Sequence, residues 1–501
     1  MPQSTSEALT CGTIEEKLRR QASLNEQARE ALIQRVVMEK GVYTREEWNE
    51  LVTPTGTCAW TPRDFEVMRS KQDGEATRGR MKAAASSVID VEAFRQDQSR
   101  VAKFCAAIPK GAILHQHANG TMQRGTAKKI LETIDPLIDM NYVLEKSKDP
   151  NVEVYPDEAA WLKQLATEKS KIRYSEMKPE DQKKLVNLFF LPPQPFAHSF
   201  KRFSFPFLVF PVLRDRSKPQ LDPDYIQLRE FLRSAHSMGI RYVELTKGLR
   251  LDPDSIAKLR ETAESLEKET GVIVRWNFAF FRNADPKKNG ELSEQLLKSL
   301  STTPSREIVG VDLLANEETA PALEAGQQSY APVLASAYSH HPNYSVKLRR
   351  TFHAGELGRI DNVRDALIMG AERVGHGVKM NDDPVTLELA RRADLGIEVS
   401  PVSNLRLKVV PDLKSHPFLK FLRLGLKVSL STDDEGVLET DMNNECVQVV
   451  TQTDVSYKEL RQMAVNSIET SFAREEEKQK LLAWLEKAFE DFERDWKAAA
   501  H

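Results

Sequence analysis

Residues 111–120 read GAILHQHANG: a short apolar run from Gly111 to Leu114, histidines at 115 and 117, then a polar turn. Alternate side chains of a strand share a face, so His115 and His117 point the same way, as two ligands of one metal must. Seen singly, an HxH pair is as readily a solvent-facing coincidence. Its weight comes from seven further runs of the same design.

The eight runs are Gly111–His117, Ile240–Leu245, Val272–Phe281, Ile308–Leu313, Arg350–His353, Arg373–His376, Gly396–Ser400 and Lys427–Thr432, separated by helical stretches. Short apolar runs in strict alternation with helices are the pattern of parallel strands. Eight of them predict an α/β fold, a (β/α)8 TIM-type barrel, whose reactive groups belong at the C-terminal ends of the strands.

The strand ends carry those groups. The fifth run ends TFHAGE, with His353 at the strand terminus and Glu356 beyond a glycine turn, a metal ligand beside a proton-transfer group. The sixth ends RVGHGV, where glycines on both sides of His376 remove bulk and admit a substrate. The eighth ends VSLSTDDEG. Paired Asp residues in a turn usually cap helices or face solvent, but here Asp433 can bind metal while Asp434 takes a substrate hydrogen bond. Joint placement on one barrel face points to a metal-dependent hydrolytic site. Ser400, Ser403 and Asn404 of SPVSN read as strand-end groups that steady neighbouring ligands, and His198, His236, His340, His341, His416 and His501 as surface or packing histidines.

The rest of the 501 residues lies around this unit. Residues 1–105 are expected to be a helical N-terminal extension, with Thr44 and Glu47 forming a capping box. The barrel unit is expected over 106–480 and a C-terminal helix over 481–501. The first connection, 118–239, is too long for a loop, and its charged, Pro-rich part, about 140–195, reads as an inserted subdomain. With 71 Lys plus Arg against 74 Asp plus Glu, the chain lacks the basic excess of a nucleic-acid binder, so a small-molecule partner is expected. The densest apolar stretch, FSFPFLVFPVL at 203–213, contains two prolines and falls short of the roughly 20 residues that cross a bilayer. The N-terminus resembles no export signal, and Cys11, Cys58, Cys105 and Cys446 are scattered with no CxxC pair. Neither a disulfide framework nor a zinc ribbon is expected, and a cytoplasmic, reducing location is the default.

The set LHQH, TFHAGE, RVGHG, SPVSN and STDD, in this order, resembles the adenosine deaminase family of metal-dependent amidohydrolases over residues 108 to about 475. The long N-terminal extension, the insertion and NLRLKVVPDLKSHP look like the adenosine deaminase-related growth factor branch. That branch is usually secreted, carries a disulfide in the insertion and dimerises through its N-terminal helices; this chain shows no signal peptide, and a homodimer is expected. The resemblance implies one Zn2+ per chain held by His115, His117, His353 and Asp433, with a water activated near neutral pH. It further implies attack at purine C6 while Glu356 gives a proton to N1, with His376 orienting the water and Asp434 bonding N7. Adenosine or 2′-deoxyadenosine would yield inosine or 2′-deoxyinosine plus ammonia.

Three departures from the family pattern bear on sugar and ring recognition. Asn119 stands where an Asp reaches the ribose, Ala315 where a Gly N–H meets N3, and Glu435 where the branch has Pro. Adenine nucleotides and N6-modified adenine compounds are therefore alternative substrates, with Lys201, Arg202, Arg406 and Lys408 as candidate phosphate groups. A binuclear hydrolase would need a Lys at the end of the fourth strand, which IVGVDLLANE lacks. A receptor-binding protein using the barrel as scaffold would be marked by lost ligands, and none is lost.

Overall fold

The computed structural model describes residues 11–192, 199–218, 220–318 and 322–499, so His198 and His501 lie outside the described residues. All eight runs become parallel strands: β1 Gly111–Ile113, β2 Ile240–Lys247, β3 Ile273–Phe281, β4 Ile308–Leu314, β5 in two halves (Arg349–Arg350 and His353–Ala354), β6 Arg373–His376, β7 Gly396–Val399 and β8 Lys427–Leu430. The first half of β5 pairs with β4 and the second with β6, so β5 joins the run β1-β2-β3-β4 to the run β6-β7-β8. Beyond the ends of β1 and β8, the His117 N–H donates to Asp433 O at 3.0 Å and the Asp433 N–H to His115 O at 3.1 Å. The curled sheet is thus a TIM-type barrel, and the backbone that closes it carries two histidines and an aspartate to one point.

Strands such as β6 and β7 are buried at every residue, as expected of parallel strands covered on both faces. The barrel interior nevertheless holds charge. Arg373 of β6, 1% exposed, pairs with Glu244 of β2 and Glu398 of β7 and lies over the Phe472 ring. Buried ions persist only when so partnered.

The N-terminal segment forms α1 (Ile14–Ile33), α2 (Arg45–Val52), α3 (Pro62–Ala85) and α4 (Gln98–Ala107). The capping box is present: the Glu47 N–H donates to Thr44 Oγ1 at 3.2 Å, and the Thr44 N–H to Glu47 Oε2 at 2.8 Å. Isolated helices of this length are marginal in water; here they are held by the barrel. Leu18, Leu32 and Trp48 share one apolar core with Val374 and Ile397, and Trp48 Nε1 donates to Asp365 Oδ1 at 3.0 Å.

The cysteine reading needs correction. Cys11 and Cys58 are joined in a disulfide that ties the start of α1 to the turn after α2, while Cys105 and Cys446 are free and buried. The two partners are 47 residues apart, and only folding of the extension brings them together. Disulfides persist in oxidising compartments, so cysteine usage no longer supports a reducing one. Among the described residues no helix is long and apolar enough to cross a membrane.

The long first connection builds a second apolar cluster reaching from Met122 to Leu213, which includes Ile130, Leu162 and Phe189. It also reaches the barrel rim. The Leu191 N–H donates to Val437 O at 2.8 Å, and Leu191 packs with Leu407, Leu438 and Phe203, beside the loops that follow β7 and β8.

Candidate metal centre and active site

His115, His117, His353, His376, Glu356, Asp433 and Asp434 all converge at the C-terminal mouth of the barrel. The His353 and His117 Nε2 atoms face each other at 3.2 Å, and Asp433 Oδ1 lies 3.1 Å from His117 Nε2 and 3.4 Å from His115 Nε2. Two ring nitrogens at that separation need a shared proton or a common cation.

The outer ring atoms show which. His353 Nδ1 sits 2.9 Å from Asp312 Oδ1, and His115 Nδ1 sits 3.0 Å from Glu398 Oε2. A carboxylate only accepts when ionised, so each Nδ1 carries a proton, and it is Nε2 that would turn a lone pair inward to a metal once any proton there is displaced. The carboxylates are themselves fixed: Thr246 Oγ1 donates to Asp312 at 2.9 Å and Thr351 Oγ1 to Glu398 at 3.1 Å. Ser403 Oγ donates to Asp433 Oδ2 at 2.7 Å, leaving Oδ1 to the histidines. The buried His115 Nε2 has no hydrogen-bond partner among the described residues. Imidazoles oriented by carboxylates around one further carboxylate are a donor set for zinc, so the residues fit the metal. Ser403 thereby steadies Asp433.

Electrostatics separates the two aspartates. Burial opposes charge on Asp433, but the His115 and His117 rings beside its Oδ1 outweigh it and hold its pKa well below the ordinary value. Burial, reinforced by the neighbouring Asp433 charge, pushes Asp434 well above its ordinary value, and Asp434 Oδ1 is buried with no hydrogen-bond partner among the described residues. Burial likewise raises Glu356 well above the usual carboxylate range, helped by Asp433 and Glu317, and its Oε1 has no hydrogen-bond partner among the described residues. The surroundings thus favour the protonated form of two carboxyls beside one held ionised.

The backbone serves these positions. Asp433 and His376 adopt left-handed backbone at φ 63° and 67°, a conformation kept by non-glycine residues chiefly at functional sites. A Cβ on Gly375 would lie 2.5 Å from His115 Cε1, and one on Gly120 would lie 1.7 Å from Asp434 Oδ1. Glycine is required at both for close approach. Glu317 pins the turn that carries Glu356: its carboxylate accepts the Gly355 N–H at 3.1 Å and the Glu356 N–H at 3.0 Å.

Asn119 and Ala315 lie on the loops after β1 and β4. Asn119 is exposed, its carbonyl accepting from Gln227 at 3.2 Å. Ala315 has φ 90°, the backbone region proper to glycine. Relief of strain of about 1–3 kcal/mol, set against the roughly 0.4–1 kcal/mol entropic cost of glycine, gives an expected stabilisation of about 1 kcal/mol for Ala315→Gly. Urea unfolding measures it, and a lower midpoint would show that the neighbouring loop imposes the strain. Glu435 is fully buried, 3.3 Å from Gln123 Nε2, and burial pushes its pKa up to about 8.

Two cations suited by sequence to a phosphate are engaged elsewhere. Arg202 is buried against Glu158 at 3.0 Å, and Arg406 donates to the Leu191 and Pro192 carbonyls at 2.7 and 3.1 Å. Lys201 donates to Pro150 O at 2.9 Å. The sequence reading missed Asp312, Glu317 and Glu398. It also placed His416 with the surface or packing histidines, whereas His416 is 5% exposed and hydrogen-bonded to Asn404.

The family model described as adenosine deaminase matches residues 222–488, more than half of the chain and all of the candidate site except the β1 histidines and Asn119. An adenosine deaminase of Shewanella halifaxensis is 31% identical over 269 residues, 51% of this chain and 75% of its own length. One of Enterococcus faecalis is 29% identical over 268 residues, 52% and 75%. Adenosine deaminase 2 of Dictyostelium discoideum is 31% identical over 186 residues, 36% of this chain and 34% of its own. Among solved structures, an adenine deaminase from Arthrobacter aurescens superposes with TM-score 0.50 at 21% identity, over 78% of this chain and 99% of that one. An amidohydrolase from Burkholderia ambifaria with bound Zn gives TM-score 0.53 at 18% identity, over 79% and 94%. These two structures are alike in fold. The family match, together with relatives of about 30% identity covered over three quarters of their length, shows that this chain belongs to the adenosine deaminase family.

Proposed function

We propose that the chain is a zinc-dependent hydrolase that deaminates adenosine or 2′-deoxyadenosine, releasing ammonia and leaving inosine or 2′-deoxyinosine. The observation that carries this reading is the inward-facing donor set of His115, His117, His353 and Asp433 beside two buried carboxyls, Glu356 and Asp434, whose burial raises their pKa. One Zn2+ on that set supplies, when bound, a water acidified to near-neutral pKa. A bound Zn in a neighbour of the same fold supports the choice of metal.

The chain's own groups then have separate tasks. Glu356, whose raised pKa favours the protonated acid, gives a proton to ring N1 as the ring takes up the electrons displaced at C6. Asp434 keeps its proton and donates it to N7, holding C6 toward the metal ligands. His376 donates to the attacking oxygen. Asn119 and Ala315 flank the sugar and ring edge. The engagement of Arg202 and Arg406 favours a nucleoside over a nucleotide. A homodimer through the N-terminal helices belongs to the same proposal: Val67 and Met81 of α3 are 49% and 66% exposed, and light scattering at twice the chain mass would support it.

The test is a panel of adenosine, 2′-deoxyadenosine, adenosine monophosphate and N6-methyl analogues, followed by ultraviolet change and ammonia release. Nucleoside turnover is expected, abolished by a chelator and restored by zinc. Absence of turnover on every compound by zinc-loaded protein would overturn the reading, and a strong preference for the monophosphate would replace the substrate.

A further inference from the structure

Behind His376 runs a buried line of polar groups whose order of donors and acceptors is fixed from one end. His416, Asn404 and His376 are 5%, 0% and 1% exposed. At the outer end the backbone N–H of Phe418 lies 3.2 Å from His416 Nδ1. A backbone N–H only donates, so Nδ1 is the acceptor, and a neutral imidazole then carries its proton on Nε2. The ring is neutral because burial pushes the His416 pKa down to about 3.

The His416 Nε2–H meets Asn404 Oδ1 at 3.1 Å. That contact turns the amide oxygen outward and the NH2 toward the site, where Asn404 Nδ2 lies 3.1 Å from His376 Nδ1. An amide NH2 only donates, so His376 Nδ1 accepts. A ring that accepts at Nδ1 is neutral, since an imidazolium carries a proton on both nitrogens. Its one proton therefore sits on Nε2, the nitrogen 3.7 Å from Glu356 Oε1.

We infer that His416 is a positioning residue which, through Asn404, holds His376 as its Nε2–H tautomer, a hydrogen-bond donor at the reaction centre. The consequence reaches the metal shell. His376 lies with His115, His353 and Asp433 close enough to hold an ion, all four ligand atoms falling within 4.8 Å of one another. A nitrogen that carries a proton has no lone pair to give, so His376 is barred from the shell and the place falls to His117. The same proton bars His376 from acting as a base on the water, leaving it only the donor's part. This last step rests on the deaminase reading; the tautomer does not.

The test uses zinc-loaded protein labelled with 15N-histidine, with two-bond 1H–15N correlations at neutral pH. His376 should show the Nε2–H pattern. His416→Phe, which fills the space but offers no acceptor to Phe418 and no donor to Asn404, should release the tautomer and lower kcat by about 10- to 100-fold with KM and zinc content near wild type. His416→Gln can accept through Oε1 and donate through Nε2, so it should restore both the tautomer and most of kcat. His376 found as Nδ1–H or as imidazolium in the wild type would overturn the inference whatever the turnover, as would an unchanged tautomer in a folded His416→Phe protein. Correct tautomer without deamination of any adenine compound would instead overturn the deaminase reading.

Discussion

Glu356→Gln should lower turnover by about 10²- to 10⁴-fold, the usual contribution of a positioned acid, while zinc content and thermal stability stay near wild type. The amide keeps the shape of the side chain, and the Glu356 backbone N–H remains bonded to Glu317 at 3.0 Å, so the local fold has no reason to change. What is lost is a transferable proton. Glu356 is 7% exposed, and burial, Asp433 and Glu317 all raise its pKa well above the carboxylate range. A donor must be protonated to act, so the wild-type rate should persist through neutral pH and fall as pH rises through that raised pKa. In Glu356→Gln the alkaline fall assigned to Glu356 should vanish along with most of the rate. Stopped-flow turnover and metal analysis on the same preparations check both halves. A variant within tenfold of wild type would mean that ring protonation comes from another group.

Much of this site was legible from sequence for a physical reason. Parallel barrel strands are buried on both faces and read as apolar runs, so a polar residue at a run's end stands out, and the closure of the barrel gathers those ends. His115, His117, His353, His376, Asp433 and Asp434 were visible in this way. The supporting acids were not. Asp312 and Glu398 sit inside runs, VDLL and IEVS, where one acid among apolar residues has no local mark. Their meaning lies in partners 41 and 283 residues away along the chain. His416 stands in NLRLKVVPDLKSHP, a stretch read for its family likeness and not for the histidine's contacts, and its partners come from the short helix after β7, Pro401–Arg406, and from its own backbone two residues on. The disulfide was hidden likewise, since spacing gives no distance until the N-terminal helices have packed.

Metal removal should leave a protein whose stability and zinc affinity respond to pH in opposite directions. Burial disfavours charge on His115 and His117, yet without the metal the carboxylates decide: Asp433 and Glu398 hold His115 well above its ordinary pKa, and His117 is raised by Asp434 wherever that group is ionised and by Asp433. A histidine whose folded pKa is raised adds stability that is complete below the unfolded value, about 6.5, and is lost as pH climbs through the folded value. Asp433, depressed, adds stability above about 3.9 that is lost only as pH falls through its folded pKa. The zinc-free protein should therefore be most stable near pH 5 to 6 and weaken toward pH 8. Zinc needs both imidazoles neutral and must displace their protons, so its affinity should rise over the same interval by about tenfold per pH unit for each proton displaced. Two protons over two units amount to roughly 10⁴-fold at most. Calorimetric melting of zinc-free and zinc-loaded protein at pH 6, 7 and 8 should show the gap in Tm widening with pH. In Asp433→Asn, which removes the one anion that raises both histidines, the zinc-free melting temperature should lose much of its pH slope and zinc binding should weaken throughout. A wild-type gap independent of pH would show that His115 and His117 are already neutral without the metal, and that Asp433 is balanced by some other charge.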